Sequence, residues 1–80
     1  MPGSIVITGA GSGIGRACAR AFLAAGWQVA LMGRRRAALE EAAGGHAAAL
    51  VLPCDVTRLD AVEAAFADAV RAFGRLDALF

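Results

Sequence analysis

Short, largely apolar runs alternate along this chain with longer stretches of helical spacing. Residues 4–8 ("SIVIT"), 27–32 ("WQVALM") and 48–53 ("AALVLP") are predominantly apolar, with only Ser4, Thr8 and Gln28 polar, the pattern of parallel strands covered on both faces. Between the first two, Ile14, Ala17, Cys18, Ala21, Phe22 and Ala25 recur at i, i+3, i+4, i+7, i+8 and i+11. That spacing predicts a helix over about 14–25, packed through this stripe and stopped by Gly26. The charged segment "RRRAALEEAAGG" (34–45) predicts a short second helix closed by Gly44 and Gly45. Val62, Phe66, Ala69, Val70 and Phe73 mark a third helix over 59–73, ended by Gly74, and "LDALF" (76–80) opens a fourth strand. Strands alternating with helices specify the α/β class: a parallel sheet with right-handed crossovers and flanking helices. No repeat or linker interrupts it, so residues 1–80 read as part of one domain, β-α-β-α-β-α and the start of a fourth strand.

The corner after the first strand carries the chemistry. "TGAGSGIG" (8–15) places Gly9, Gly11, Gly13 and Gly15 between a strand and a helix start, more glycine than a tight turn requires. Free N–H groups and the positive helix end suit a phosphate there, and side chains would block its approach. In this reading Gly9 makes the turn, Gly13 admits a pyrophosphate and Gly15 lets the helix pack on the strand.

Several nucleotide-binding patterns compete for this corner. A strict G-x-G-x-x-G fails, because its last position falls on Ile14 or Arg16. A P-loop is excluded because it needs a lysine, and all 8 basic residues are arginine. A G-x-G-x-G of the kind found in S-adenosylmethionine methyltransferases fits Gly9, Gly11 and Gly13. That reading is weakened by Thr8 and Gly33, which stand where acids are expected.

Composition narrows the partners. A net charge of +1 gives no field to draw the chain to nucleic acid or an anionic membrane. No apolar run approaches the ~18–20 residues of a membrane span, and the N-terminus lacks a charged leader region. The expected compartment is the cytoplasm. Cys18 and Cys54 have neither C-x-x-C spacing nor metal-ligand company and read as small apolar residues.

The best-fitting spacing is T-G-x-x-x-G-x-G at Thr8, Gly9, Gly13 and Gly15. With "VALMGRR", "PCDVT" and "FGRLDALF" following in order, the whole chain resembles the N-terminal, cofactor-binding part of the short-chain dehydrogenase/reductase family. The resemblance implies a Rossmann-type fold with strand order 3-2-1-4. It also implies a dinucleotide held by Gly9, Ser12, Gly13, Ile14, Gly15, Arg34, Asp55 and Val56. The acid that would hold both ribose hydroxyls of NAD is expected ~20 residues beyond the fingerprint, where this chain has Gly33 followed by Arg34. NADP is therefore expected over NAD, with Arg34 and the Ser12 hydroxyl on the 2′-phosphate, Arg35 left open and Arg36 solvated. Asp55 would accept from the adenine amino group and Val56 N–H would face a ring nitrogen. Asp55 or Thr57 equally suits a cap on the turn into the third helix, and the two roles are compatible.

The family's general acid/base tyrosine and its lysine lie on a later helix, and this sequence contains neither residue. It is thus expected to be the front of an NADP-dependent oxidoreductase, truncated before the catalytic half and inactive alone. A small-molecule substrate and any homo-oligomer belong to the complete enzyme. A non-catalytic dinucleotide-binding module or pseudogene product is the alternative. With the fourth strand barely begun, the first strand is expected to keep an open apolar edge, making the 80 residues aggregation-prone.

Overall fold

The computed structural model describes residues 3–80; Met1 and Pro2, which begin the stretch read above as leaderless, lie outside them. In chain order the elements are β1 (Ser4–Thr8), α1 (Gly13–Ala24), β2 (Gln28–Gly33), α2 (Arg36–Ala43), β3 (Ala49–Pro53), α3 (Leu59–Phe73) and β4 (Ala78–Leu79). All pairings are parallel, in the order β3-β2-β1-β4. The expected α/β, Rossmann-type sheet is present, with element ends shifted by a residue or two.

Alternation along the central strands divides the core. Ile5, Ile7, Val29 and Leu31 pack with Ala19 and Leu23 of α1 and with Leu39, Ala42 and Ala43 of α2. Val6, Ala30 and Met32 point to the opposite face, against Ala65 and Ala69 of α3. Both central strands are covered twice, which is why their middles, 5–7 and 29–32, are unbroken apolar runs. The edge strand β3 is only half-buried. At the far end of α1, Phe22 and Trp27 meet edge to face at 4.9 Å. Trp27 thus packs at the entry to β2, an arrangement worth about 0.5–1.5 kcal/mol beyond its burial.

Three expectations are corrected. The buried stripe of α1 is Gly15, Ala19 and Leu23, with Cys18 and Phe22 half-buried, whereas Ile14, Ala17, Ala21 and Ala25 face outward. Alanine on every side makes the periodicity of this helix degenerate, and the close approach of Gly15 to the first strand sets its rotation. In α3 the deepest contacts come from Ala65 and Ala69, while Val70 is 44% exposed. Small residues there let the helix lie close to the sheet.

The outer edge of β1 is not left open. The N–H groups of Asp77 and Phe80 donate to the carbonyls of Ser4 and Val6, and Thr8 N–H donates to Phe80 O, all at 2.9 Å. The short segment around β4 satisfies the edge because its flanking residues continue the ladder. Ser4, 2% exposed, anchors the start of this pairing. Its N–H donates to Asp77 Oδ2 at 2.9 Å and its hydroxyl donates to the Arg75 carbonyl. The Ser4 N–H holds the Asp77 carboxyl below its ordinary range, assisted by Arg75 at 2.9 Å.

Candidate functional site

The chain leaves β1 at the carboxyl edge of the sheet, between β2 and β4, where the order of connection reverses and α/β folds form crevices. Gly9 and Gly13 adopt φ of +63° and +59°, a region that only glycine enters readily. A Cβ on either would project into open space. Ala10 is buried and its N–H donates to Met32 O at 3.2 Å, tying the loop to β2.

Ser12 occupies the N-cap position of α1 in extended conformation, but its side chain makes no capping hydrogen bond, and the first turn carries no acid. The positive helix end is therefore uncompensated by its own cap or first turn. Gly15 lies beneath the loop, where a Cβ would collide with the Gly9 carbonyl.

A cleft of about 470 Å³ opens over this corner, lined by Gly9, Gly11, Ser12, Gly33, Arg34, Arg35, Ala38, Leu39 and Val56. It brings together Gly9, Ser12, Arg34 and Val56 of the expected set. Gly13 and Ile14 sit in the first turn of α1, outside the lining, with Ile14 74% exposed. Gly15 is underneath, and Asp55 lies beside the cleft rather than in its wall.

Residues that the sequence reading passed over form the floor. Ala38 lies 3.1 Å from a Cβ placed on Gly11, and Leu39 lies at the same distance from one placed on Gly33. The packing of α2 against the loop is a tertiary fact with no local signature. Arg35, left open above, lines the cleft. Arg36 turns away: it pairs with Glu40 at 3.7 Å and lines a separate groove between β3 and α3. Arg16 and Arg20 both reach Glu41, bracing α1 against α2.

The turn after β3 is fixed to β2 by Cys54 N–H donating to Gly33 O at 2.7 Å. Asp55 Oδ1 then accepts from the Thr57 hydroxyl at 2.6 Å and from its N–H at 3.0 Å. These bonds, with Arg34 and Arg58 nearby, hold the Asp55 carboxyl below its usual range. Burial, and then the Asp55 charge, push the Cys54 thiol up. The cap expectation is refined: Asp55 closes the turn, while the N-cap of α3 is Arg58, without a side-chain bond. His46 is exposed, in the loop between α2 and β3. Among the described residues no cluster of metal-ligating side chains occurs, and no helix is long and apolar enough to cross a membrane.

A parallel sheet with a glycine-lined corner at its switch point defines a Rossmann-type nucleotide-binding fold. The family model for short chain dehydrogenases matches residues 4–80, and the chain belongs to that family, whose members are oxidoreductases built on an NAD(P)-binding fold. It is 45% identical over 76 residues to L-fucose dehydrogenase of Oryctolagus cuniculus, covering 91% of this chain and 26% of that protein. It is 42% identical over 82 residues to sulfoacetaldehyde reductase of Chromohalobacter salexigens, covering 99% and 32%. The structure of a 3-ketoacyl-(acyl-carrier-protein) reductase from Brucella melitensis, complexed with NADH, superposes with a TM-score of 0.88 at 35% identity over 98% of this chain and 32% of that one. The chain thus spans roughly a quarter to a third of the length of these relatives.

Proposed function

We propose that these residues form the adenosine and pyrophosphate half of an NADP(H) site in a short-chain oxidoreductase. The observation that carries this reading is the cleft itself, where Arg34 and Arg35 join a glycine corner and no acid stands at the tip of β2.

The residues present suit the group. Gly9 and Gly13 leave room above the corner, the unused Ser12 hydroxyl and the bare start of α1 offer donors, and Arg34 offers a charge-assisted partner for a 2′-phosphate. Asp55 and Val56 would hold the base. NADP(H), when bound, supplies or accepts the hydride exchanged with a carbonyl or alcohol substrate.

What residues 1–80 do is bind and orient that cofactor. They contain no tyrosine and no lysine, so the general acid/base pair implied by the family is not among them. The 80 residues alone catalyse no hydride transfer in this reading, and the choice of substrate falls to the remainder of an enzyme of the relatives' length. Assembly into a homo-oligomer belongs to that longer chain as well.

The decisive experiment compares NADPH and NADH binding to the full chain and to Arg34→Ala at low salt. The wild type is expected to prefer NADPH. Arg34→Ala should lose about 1.5–3 kcal/mol toward NADPH, one to two decades of affinity, with little change toward NADH. Equal affinities in the wild type, or an unchanged preference in the variant, would sink the NADP assignment.

A further inference from the structure

Thr57 has no role in the reading above, yet its hydroxyl makes the shortest hydrogen bond of the turn between β3 and α3. Its hydroxyl and its backbone N–H both donate to one atom, Asp55 Oδ1, at 2.6 and 3.0 Å. Two donors on one oxygen fix both side-chain torsions of Asp55. The other oxygen, Oδ2, accepts no hydrogen bond from any described residue, although a carboxylate oxygen has capacity to spare. Thr57 is exposed and is not the N-cap of α3, which is Arg58. Neither packing nor helix capping accounts for its side chain.

We propose that Thr57 is a positioning residue for recognition of the adenine base, turning Asp55 so that only Oδ2 is presented to the exocyclic amino group. This rests on the dinucleotide reading given above. The groups facing Asp55 are Arg34 from the end of β2, Arg58 from the start of α3 and the neighbouring Cys54 thiol. None of them fixes the carboxylate's rotation with a hydrogen bond. Asp55 is a carboxylate at neutral pH, as an ordinary aspartate is, and a carboxylate only accepts. It therefore selects a purine bearing an N–H donor at position 6 and repels one bearing a carbonyl oxygen there.

The test is a competition titration on the full chain between NADPH and its hypoxanthine counterpart, in which the 6-amino group is replaced by oxygen. Wild type should favour the adenine form. Thr57→Val removes the hydroxyl at nearly constant shape and should narrow that preference roughly three- to tenfold, while Thr57→Ser should retain it. An unchanged ratio in Thr57→Val, including an equal weakening of both cofactors, overturns the proposal, as does loss of the preference in Thr57→Ser. A wild type that binds both cofactors alike also overturns it while leaving the dinucleotide site standing. A wild type that binds neither removes that site as well.

Discussion

Gly15 lies directly against the backbone of Gly9. A Cβ on Gly15 would overlap the Gly9 carbonyl oxygen and lie 2.8 Å from the carbonyl carbon. Backbone cannot step aside as a flexible side chain can, so Gly15→Ala must push α1 away from β1 or distort the corner. The helical preference of alanine over glycine, about 1 kcal/mol, works in the other direction. Overpacking of about 1–3 kcal/mol is expected to outweigh it. Thermal melts of the full chain should show a lower midpoint for Gly15→Ala, and an unchanged or raised midpoint would contradict this contact.

Ser12 separates helix capping from ligand binding. Replacing an N-cap serine with alanine ordinarily costs about 1 kcal/mol. Here the Ser12 hydroxyl makes no capping bond, so Ser12→Ala should leave the melting midpoint nearly unmoved. NADPH affinity should nevertheless fall roughly tenfold, the worth of one hydrogen bond to a charged group at the lower end of its range, about 1.5 kcal/mol. A variant that melts earlier but binds normally would return Ser12 to an ordinary cap.

The three consecutive arginines are predicted to behave differently. Arg34 and Arg35 line the cleft, whereas Arg36 sits over the groove between β3 and α3 with Glu40 as its partner. Arg36→Ala should leave the ratio of NADPH to NADH affinity unchanged and alter stability by no more than about 0.5 kcal/mol, as for exposed i,i+4 pairs. Arg35→Ala should weaken NADPH selectively. Parallel titrations of both variants test the division, and an equal effect from each would mean that the segment acts only through its net charge.

The sequence made the architecture legible because each strand had an apolar centre and a glycine followed each helix within two residues. It made the corner legible because glycines at 9, 13 and 15 do work that no other residue can. Helix rotation was harder to see. In α1, alanine makes two neighbouring stripes equally apolar, and only the contact between Gly15 and Gly9 chooses between them. The floor of the cleft was hidden for a related reason, since Ala38 and Leu39 meet Gly11 and Gly33 across the fold. The closure of the β1 edge depended on backbone bonds from residues flanking β4, which carry no side-chain signature.

Acid should loosen the sheet at the junction of Ser4 and Asp77. The Asp77 carboxyl is held below its ordinary range first by the Ser4 N–H and further by Arg75. A carboxyl depressed in the folded state binds a proton less readily than in the unfolded chain. Stability therefore rises with pH between the folded and unfolded values. Asp77 makes its full contribution above the ordinary carboxylate value, near about 4, and loses it as pH falls through the depressed one. Asp77→Asn keeps an oxygen for the Ser4 N–H but gives up the charge and the Arg75 pair. Melts recorded from about pH 2 to pH 6 should show a shallower acid limb for the variant, with its deficit largest at the upper end and vanishing toward the lower. Asp55 is depressed in the same direction, so some acid slope should survive in Asp77→Asn and be reduced further in the double variant with Asp55→Asn. If Asp77→Asn runs parallel to wild type across the whole range, the charge of Asp77 does not contribute to holding β4 against β1.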